Sequence, residues 1–404
     1  MTRRASPTST RPSRSRGFSL MELMMSLALG LIVMLGLVTS FVSATKARKS
    51  VQQEAEQVEN GRVALEILYN DAKLAGFYNS YYLLPTVVGV PTVPASLPDP
   101  CALPSTINTA NLNVGTDNLK DPMALHVQTY AAASATSKVD MSGTACAAWM
   151  PAANMVAGSD VLVVRRASTY KIPFVTTGAS EVRANYPYLQ TGAFASEIQK
   201  GVSGITNMTD LKADGSVVAT TLQIRDAVGA KVAGEIYRYM TNIYFVAPCS
   251  TGSGTNGVCA SGDDAIPTLK RLELGVNAAG NNVGFQIFPM VEGIQAVAFD
   301  SGIDNSPTVA NATTGLIGDG QPDSFARSGL SILDRANTAA LNIFVLARNI
   351  GQQKDFTDQK TYQMSESVLT GATYALGPFN DNYRRHVYTA RATIENISQR
   401  RENP

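Results

Sequence analysis

From Gly17 to Leu84 the chain contains no proline, and this uninterrupted stretch constrains the fold more than any other feature. Its first part, Leu20 to Val42, is apolar and long enough to span a bilayer as a helix. The preceding residues 1–17 hold Arg3, Arg4, Arg11, Arg14 and Arg16 and no acid. Fewer basic residues, Lys46, Arg48 and Lys49, follow the run. The imbalance predicts a cytoplasmic N-terminus and an exported remainder. One carboxylate, Glu22, lies near the start of the run. An acid in a spanning helix costs about 2.5–3.5 kcal/mol on insertion scales, so it needs a partner or an aqueous exit. The placement suggests a membrane segment that is also extracted and stacked against copies of itself.

A secretory signal would close with a small-x-small cleavage site, but here the apolar run continues into a longer helical pattern. Arg3-Arg4 gives little support to a twin-arginine signal. Cleavage after Gly17 would create an amine on Phe18, four residues before Glu22. A neighbouring subunit's amine could then neutralise the acid during assembly. The alternative is a plain signal anchor tethering a periplasmic domain, and Glu22 argues against it.

Arg16-Gly17-Phe18-Ser19-Leu20-Met21-Glu22-Leu23 resembles the class III signal of type IV pilins and type II secretion pseudopilins. The resemblance implies cleavage between Gly17 and Phe18 by a prepilin peptidase and N-methylation of Phe18. The leader is longer than those of many major pilins.

Beyond Val42 the helical period persists. Val51, Ala55, Val58, Leu65, Leu68, Ala72 and Ala75 recur at three- and four-residue spacing, which predicts an amphipathic helix with one apolar stripe. Gly76 suits a C-terminal cap and Lys73 the last turn. A single helix from Phe18 to Ala75 would be about 87 Å long, softened at Gly30 and Gly36. Its first half is expected to protrude and its second to pack on a sheet. The stretch Glu59 to Leu68, continuing through Asp71 to Phe77, resembles PilW-type minor pilins. Arg62 and Asp71 read on their own as a solvated helix face.

The four cysteines, Cys101, Cys146, Cys249 and Cys259, form no C-x-x-C pair, and the two histidines, His126 and His386, are far apart, so zinc spacing is absent. An even count beyond a membrane segment points to an oxidising compartment. Cys101–Cys146 and Cys249–Cys259 is the favoured pairing, contributing about 4 and 3 kcal/mol by loop entropy. Four buried free thiols are the alternative. Residues 85–122, rich in Pro, Thr, Asn and Asp, predict an irregular lobe. Strand-like runs follow at 160–165, 235–240, 243–246, 269–274, 294–299, 341–346 and 387–394, several alternating as half-buried antiparallel strands should. In the last, Tyr388, Ala390, Ala392 and Ile394 share one face. Residues 159–166, 267–275, 291–294 and 383–394 also resemble PilW-type sequences. The expected fold is α+β and pilin-like. It comprises a leader (1–17), a transmembrane half-helix (18–42), an amphipathic half-helix (43–76) and a β-rich head (77–404).

Catalytic parts are missing. Gly252-Ser-Gly-Thr-Asn-Gly257 lacks the strand–helix context of a dinucleotide site and reads as a disulfide-closed loop. Ser43-Ala-Thr-Lys46 has no companion motif. There is no G-x-S-x-G or H-E-x-x-H, and His386 reads as structural or surface. Asp300, Asp304, Asp319 and Asp323 do not match a calcium-loop pattern and read as a solvated loop, with no metal or cofactor expected. Tyr81, Tyr82, Tyr237, Tyr239 and Tyr244 fit sheet faces better than partner contacts, and the sequons at Asn207, Asn311 and Asn396 carry little weight. Of 33 Lys and Arg, five lie in the leader, leaving 28 against 32 Asp and Glu, which disfavours direct nucleic-acid binding.

The sequence therefore reads as a non-enzymatic minor pilin, single-pass in the inner membrane with a periplasmic head, and on the pilus surface after assembly. The resemblance implies as partners the prepilin peptidase, the inner-membrane assembly platform, the major and other minor pilins, and a tip adhesin. It also implies a place in a tip complex that primes assembly, with adhesion and twitching motility as consequences of the pilus. The alternatives are a minor pseudopilin of type II secretion and a membrane-anchored periplasmic ligand-binding domain.

Overall fold

In the computed structural model one helix, α1 (Leu20–Lys73), occupies nearly the whole proline-free stretch. The structure describes residues 17–79, 94–105, 112, 119–172, 181–191, 196–201, 223–225, 231–305, 318–353, 355–366 and 373–402. Tyr81, Tyr82, Asn207 and Asn311 lie outside these residues. The chain divides into two units, Met1–Glu54 and Ala55–Pro404, and α1 contributes residues to both.

In the first unit the apolar side chains from Leu20 to Val42 are exposed, and this part of α1 is long and apolar enough to cross a membrane. Three hydroxyls of α1 are satisfied inside the helix. Ser26 donates to the Leu23 carbonyl, Thr39 to Gly36 and Thr45 to Val42, each at 2.9 Å. A polar group in hydrocarbon must find its partner within the protein, and back-bonding meets that need.

The second unit contains fifteen strands among the described residues. These are β1 (Val127–Tyr130), β2 (Val161–Ile172), β3 (Pro187–Thr191), β4 (Ser196–Lys200), β5 (Gln223–Arg225), β6 (Lys231–Ala233), β7 (Ile236–Ala247), β8 (Thr268–Val276), β9 (Val283–Glu292), β10 (Ile294–Ile303), β11 (Ser324–Ala326), β12 (Thr338–Arg348), β13 (Tyr362–Gln363), β14 (Ala375–Leu376) and β15 (Arg385–Thr393). A seven-stranded sheet runs β1-β2-β7-β3-β4, with β8 also paired to β7 and β9 to β8; a four-stranded sheet runs β11-β10-β12-β15. The pairings are antiparallel.

One face of residues 57–75 lies in a core shared by both sheets. Ala64, Leu68, Ala72 and Ala75 cluster with Leu162, Val164 and Tyr244 of the larger sheet and with Val297, Ile343 and Val345 of the smaller one. The opposite faces are also covered. Val161, Val163 and Phe245 pack against Met123, Met141 and Met150 of the lobe that precedes β2. Ala296, Ala298, Phe344 and Leu346 pack against Met364 and Leu376. The predicted half-buried strands are thus buried on both faces where they are central, and every residue of β12 is buried. A strand covered on both sides reads as a continuous apolar run rather than an alternation. On β15, at the sheet edge, the alternation survives: Ala392 is buried while Thr389, Arg391 and Thr393 are exposed.

Three local expectations change. The buried stripe of α1 is Gln57, Gly61, Ala64, Leu68, Asp71 and Ala72, whereas Val51 and Val58 are 67% and 45% exposed. Gly61 permits close approach to the sheet, and Gln57 and Asp71 enter because they find partners there. The runs at 235–240 and 243–246 are one strand, β7, which pairs with β3 through residues 236–238 and with β8 through 242–247. Strand β9 was not anticipated. It holds Pro289, tolerated on a strand that pairs with β8 alone among the described residues, next to a register shift between Leu269 and Lys270. Gly76, three residues past α1, has the left-handed φ of 72° expected of a glycine at a helix end, and its N–H donates to the Arg165 carbonyl of β2 at 3.0 Å rather than back to the helix.

Candidate assembly site on the N-terminal helix

The segment that would be cut lies just ahead of α1. Residues 17–19 have no regular structure, and the amides of Glu22 and Leu23 both donate to the Ser19 carbonyl, at 2.9 and 3.1 Å. Ser19 therefore opens the helix and Glu22 falls in its first turn. Phe18 is 81% exposed, and a Cβ on Gly17 would meet nothing within 4 Å. An acid in the first turn also complements the unsatisfied amides and positive end of the helix. Ser19-x-x-Glu22 has the capping-box spacing, a signal in the sequence that a search for charge partners passes over. The position of Glu22 in the first turn thus suits the helix end as well as the charge pairing expected from sequence.

The other end of α1 is fixed in the second unit by polar contacts that periodicity does not reveal. Asp71, read from sequence as solvated, is 5% exposed. Arg166 Nε on β2 donates to its Oδ1 at 2.6 Å. Asn242 Nδ2 and the Tyr244 hydroxyl on β7 both donate to its Oδ2 at 2.8 Å. Burial, and then the Asp71 carboxylate, push the Tyr244 phenol well above its usual range. About four turns earlier, Gln57 Nε2 donates to the Ala347 carbonyl on β12 at 2.9 Å. Gly61 faces the Tyr388 ring, which would lie 2.2 Å from an added Cβ. Arg62 is exposed, as its solvated reading implies. The helix is thereby tied to β2, β7, β12 and β15 through Gln57, Gly61 and Asp71.

A second buried carboxylate joins the two sheets. Asp160 accepts from the amides of Ala132 and Phe299 and from the guanidinium of Arg327, while its own amide donates to the Val297 carbonyl. Burial outweighs these donors and pushes its carboxyl up to about 6. At the far edge Arg385 pairs with Asp358 at 2.8 Å and with Asp381 at 2.5 Å. Asp160, Asp358 and the Arg385 guanidinium are buried and largely bonded to one another, with Asp381 at the solvent-facing side of the pair, so these contacts are architectural.

The remaining sequence-flagged residues fall as follows. Both disulfides are present, Cys101–Cys146 with Cα atoms 5.0 Å apart and Cys249–Cys259 at 5.8 Å. Gly252 to Gly257 lies inside the second loop. Asp99, Cys101 and Cys146 form a group of metal-ligand type, but the two sulfurs are bonded to each other and Asp99 accepts from the amides of Cys101 and Ala145. The acidic segment corrects the solvated reading in part: Asp300 and Asp304 are fully buried, while Asp319 and Asp323 are exposed. Asp300 accepts from Ser365 and the Glu366 amide, Asp304 from the amides of Asp319 and Gly320. His386 is exposed against Tyr388, and His126 is buried on the Thr338 carbonyl at 2.8 Å. Tyr237, Tyr239 and Tyr244 pack in sheet cores. Asn396 contacts the Ala75 carbonyl at the end of α1.

Two family models match the chain. Residues 12–38 match the prokaryotic N-terminal methylation motif, which spans Gly17, Phe18 and Glu22. Residues 243–396 match the family of type IV pilus-assembly protein W, from the middle of β7 through the whole four-stranded sheet. No curated protein and no solved structure matches the chain. Of the helix-to-sheet contact residues, Gln57, Gly61, Asp71, Arg166 and Asn242 lie outside the matched segments, and Tyr244, Ala347 and Tyr388 lie inside the second.

Proposed function

We propose, taking the chain as a PilW-type, pilin-like protein of the type IV pilus, that it is a minor pilin: a structural subunit without catalytic turnover, cut between Gly17 and Phe18 and methylated on Phe18. Before assembly the helix holds it in the inner membrane with the head in the periplasm. On incorporation Glu22 meets the Phe18 amine of a neighbouring subunit, and the head joins other minor pilins in a complex that primes the fibre at its tip. The observation that carries this reading is α1 itself. A single helix begins with an exposed apolar stretch behind Gly17-Phe18-x-x-x-Glu22 and ends in the core of a two-sheet unit. That combination supports membrane residence and a cleavage point in one element.

Mass spectrometry of the protein extracted from its native membrane tests the processing, and an N-terminus at methyl-Phe18 is expected. Gly17→Ala should leave the leader attached and abolish piliation. Position 17 has open space for a methyl group, so the loss would reflect peptidase recognition rather than misfolding. Normal cleavage of that variant would overturn the reading. Glu22→Ala should be cut normally but enter fibres poorly, and normal pilus number would remove the charge-pair step. Defective type II secretion with intact pili would instead assign the chain to the pseudopilins.

A further inference from the structure

Lys270 on β8 is 1% exposed, and the acceptors of its amine are both sulfurs. Nζ lies 3.5 Å from Cys249 Sγ and 3.7 Å from Cys259 Sγ. Among the described residues it forms no ion pair, although the nearby carboxylates of Asp264 and Asp263 work against the lowering that burial imposes on it. Those carboxylates are held in place by the loop: Asp264 accepts from Ser250 and the Ile266 amide, and Asp263 from the amides of Ser253 and Ala260. Burying a lysine amine is costly unless something compensates it. A disulfide is a weak acceptor, but a thiolate at the same place would be a strong one. The two sulfurs are also unequal in access. Cys249 is 1% exposed, whereas Cys259 is only partly buried.

We propose that Cys259 is a site of thiol–disulfide exchange, open to attack by an external thiolate while Cys249 departs as a thiolate held by the Lys270 ammonium. The incoming sulfur forms a new bond to Cys259 Sγ, the Cys249–Cys259 bond breaks, and its electron pair goes to Cys249 Sγ. The product is a mixed disulfide on Cys259 and a Cys249 thiolate. Run backwards, the same step closes the bridge: Cys249 displaces a thiol from a mixed disulfide on Cys259. Exchange is faster when the leaving thiol is more acidic, and a neighbouring cation makes it so. Lys270 acts as a positioning residue through the sulfur it faces. The other bridge has the opposite surroundings. Cys101 and Cys146 are both fully buried, and the charged group beside them is the carboxylate of Asp99, which disfavours a thiolate. The chain thus carries one exchangeable bridge and one inert one.

The test uses the full chain in detergent micelles, exposed to reduced glutathione, quenched with N-ethylmaleimide and mapped by peptide mass. Glutathione is expected on Cys259 and maleimide on Cys249, with Cys101–Cys146 intact over the same interval. Lys270→Met should slow exchange about tenfold, and Lys270→Arg should recover most of the rate. Glutathione on Cys249, equal opening of both bridges, or an unchanged rate in Lys270→Met would each overturn the proposal. Should Lys270→Met fail to fold, the attachment site and the difference between bridges in the unaltered chain still decide it.

Discussion

Asp71→Ala is expected to lower the stability of the second unit by about 3–5 kcal/mol, the usual effect of removing one partner of a buried ion pair. The loss is large because three donors converge on one carboxylate. Without it, Arg166 keeps its charge with only 15% of its side chain exposed, and the fully buried Asn242 amide and the Tyr244 hydroxyl lose their acceptor. Each group left unpaired forfeits the hydration it gave up on folding. Asp71→Asn keeps a carbonyl acceptor for one donor and should cost less, which separates the charge from the shape. Urea unfolding of the detergent-solubilised chain, followed by the fluorescence of its single tryptophan, measures both. Trp149 packs edge-on against Phe285 at 5.6 Å, so it reports the larger sheet and its lobe. A loss below about 1 kcal/mol for the alanine variant would mean that apolar packing alone holds the helix.

Gly61→Ala is expected to destabilise by about 1–3 kcal/mol through overpacking, although the same change in an exposed helix interior would stabilise by about 1 kcal/mol. The sign is decided by Tyr388. An added Cβ would lie 2.2, 2.5 and 2.8 Å from three atoms of its ring, so the ring must move away from the helix. Tyr388 is paired opposite Val345 in the β12–β15 register, within the core shared by helix and sheets, and has little freedom to do so. In a Tyr388→Ala background the obstacle is gone, and Gly61→Ala should then be neutral or stabilising. This reversal in a double-mutant cycle distinguishes a steric contact from a general intolerance of the site. An equal loss in both backgrounds would show that the ring is not the obstacle.

Much of the molecule is legible without coordinates, and the exceptions have a common cause. The long helix, the glycine at its end and the edge strand β15 follow from local rules: absence of proline, three- and four-residue spacing, and two-residue alternation. The errors occur where a residue's environment comes from distant parts of the chain. Val51 and Val58 look like members of the buried stripe, yet the stripe runs through Gln57 and Asp71 because β12, β2 and β7 bring partners to them. Asp300 and Asp304 look solvated, but side-chain and backbone donors from residues 319–320 and 365–366 enclose them. Pro289 argues against a strand locally and is acceptable because β9 pairs with β8 alone among the described residues. Lys270 reads as an ordinary strand lysine until the disulfide loop is folded over it.

The sequence by itself determined the helix, its apolar first half, the Gly17-Phe18 junction with Glu22 behind it, and the even set of cysteines. All of these rest on covalent order and short-range geometry, which the chain carries wherever it is. Only the tertiary structure decided which face of the helix is buried, which carboxylates are enclosed, and which cysteine sulfur lies beside a cation. Those outcomes depend on contacts between residues tens to hundreds of positions apart, and burial changes the energetic value of a charge far more than its neighbours in sequence can.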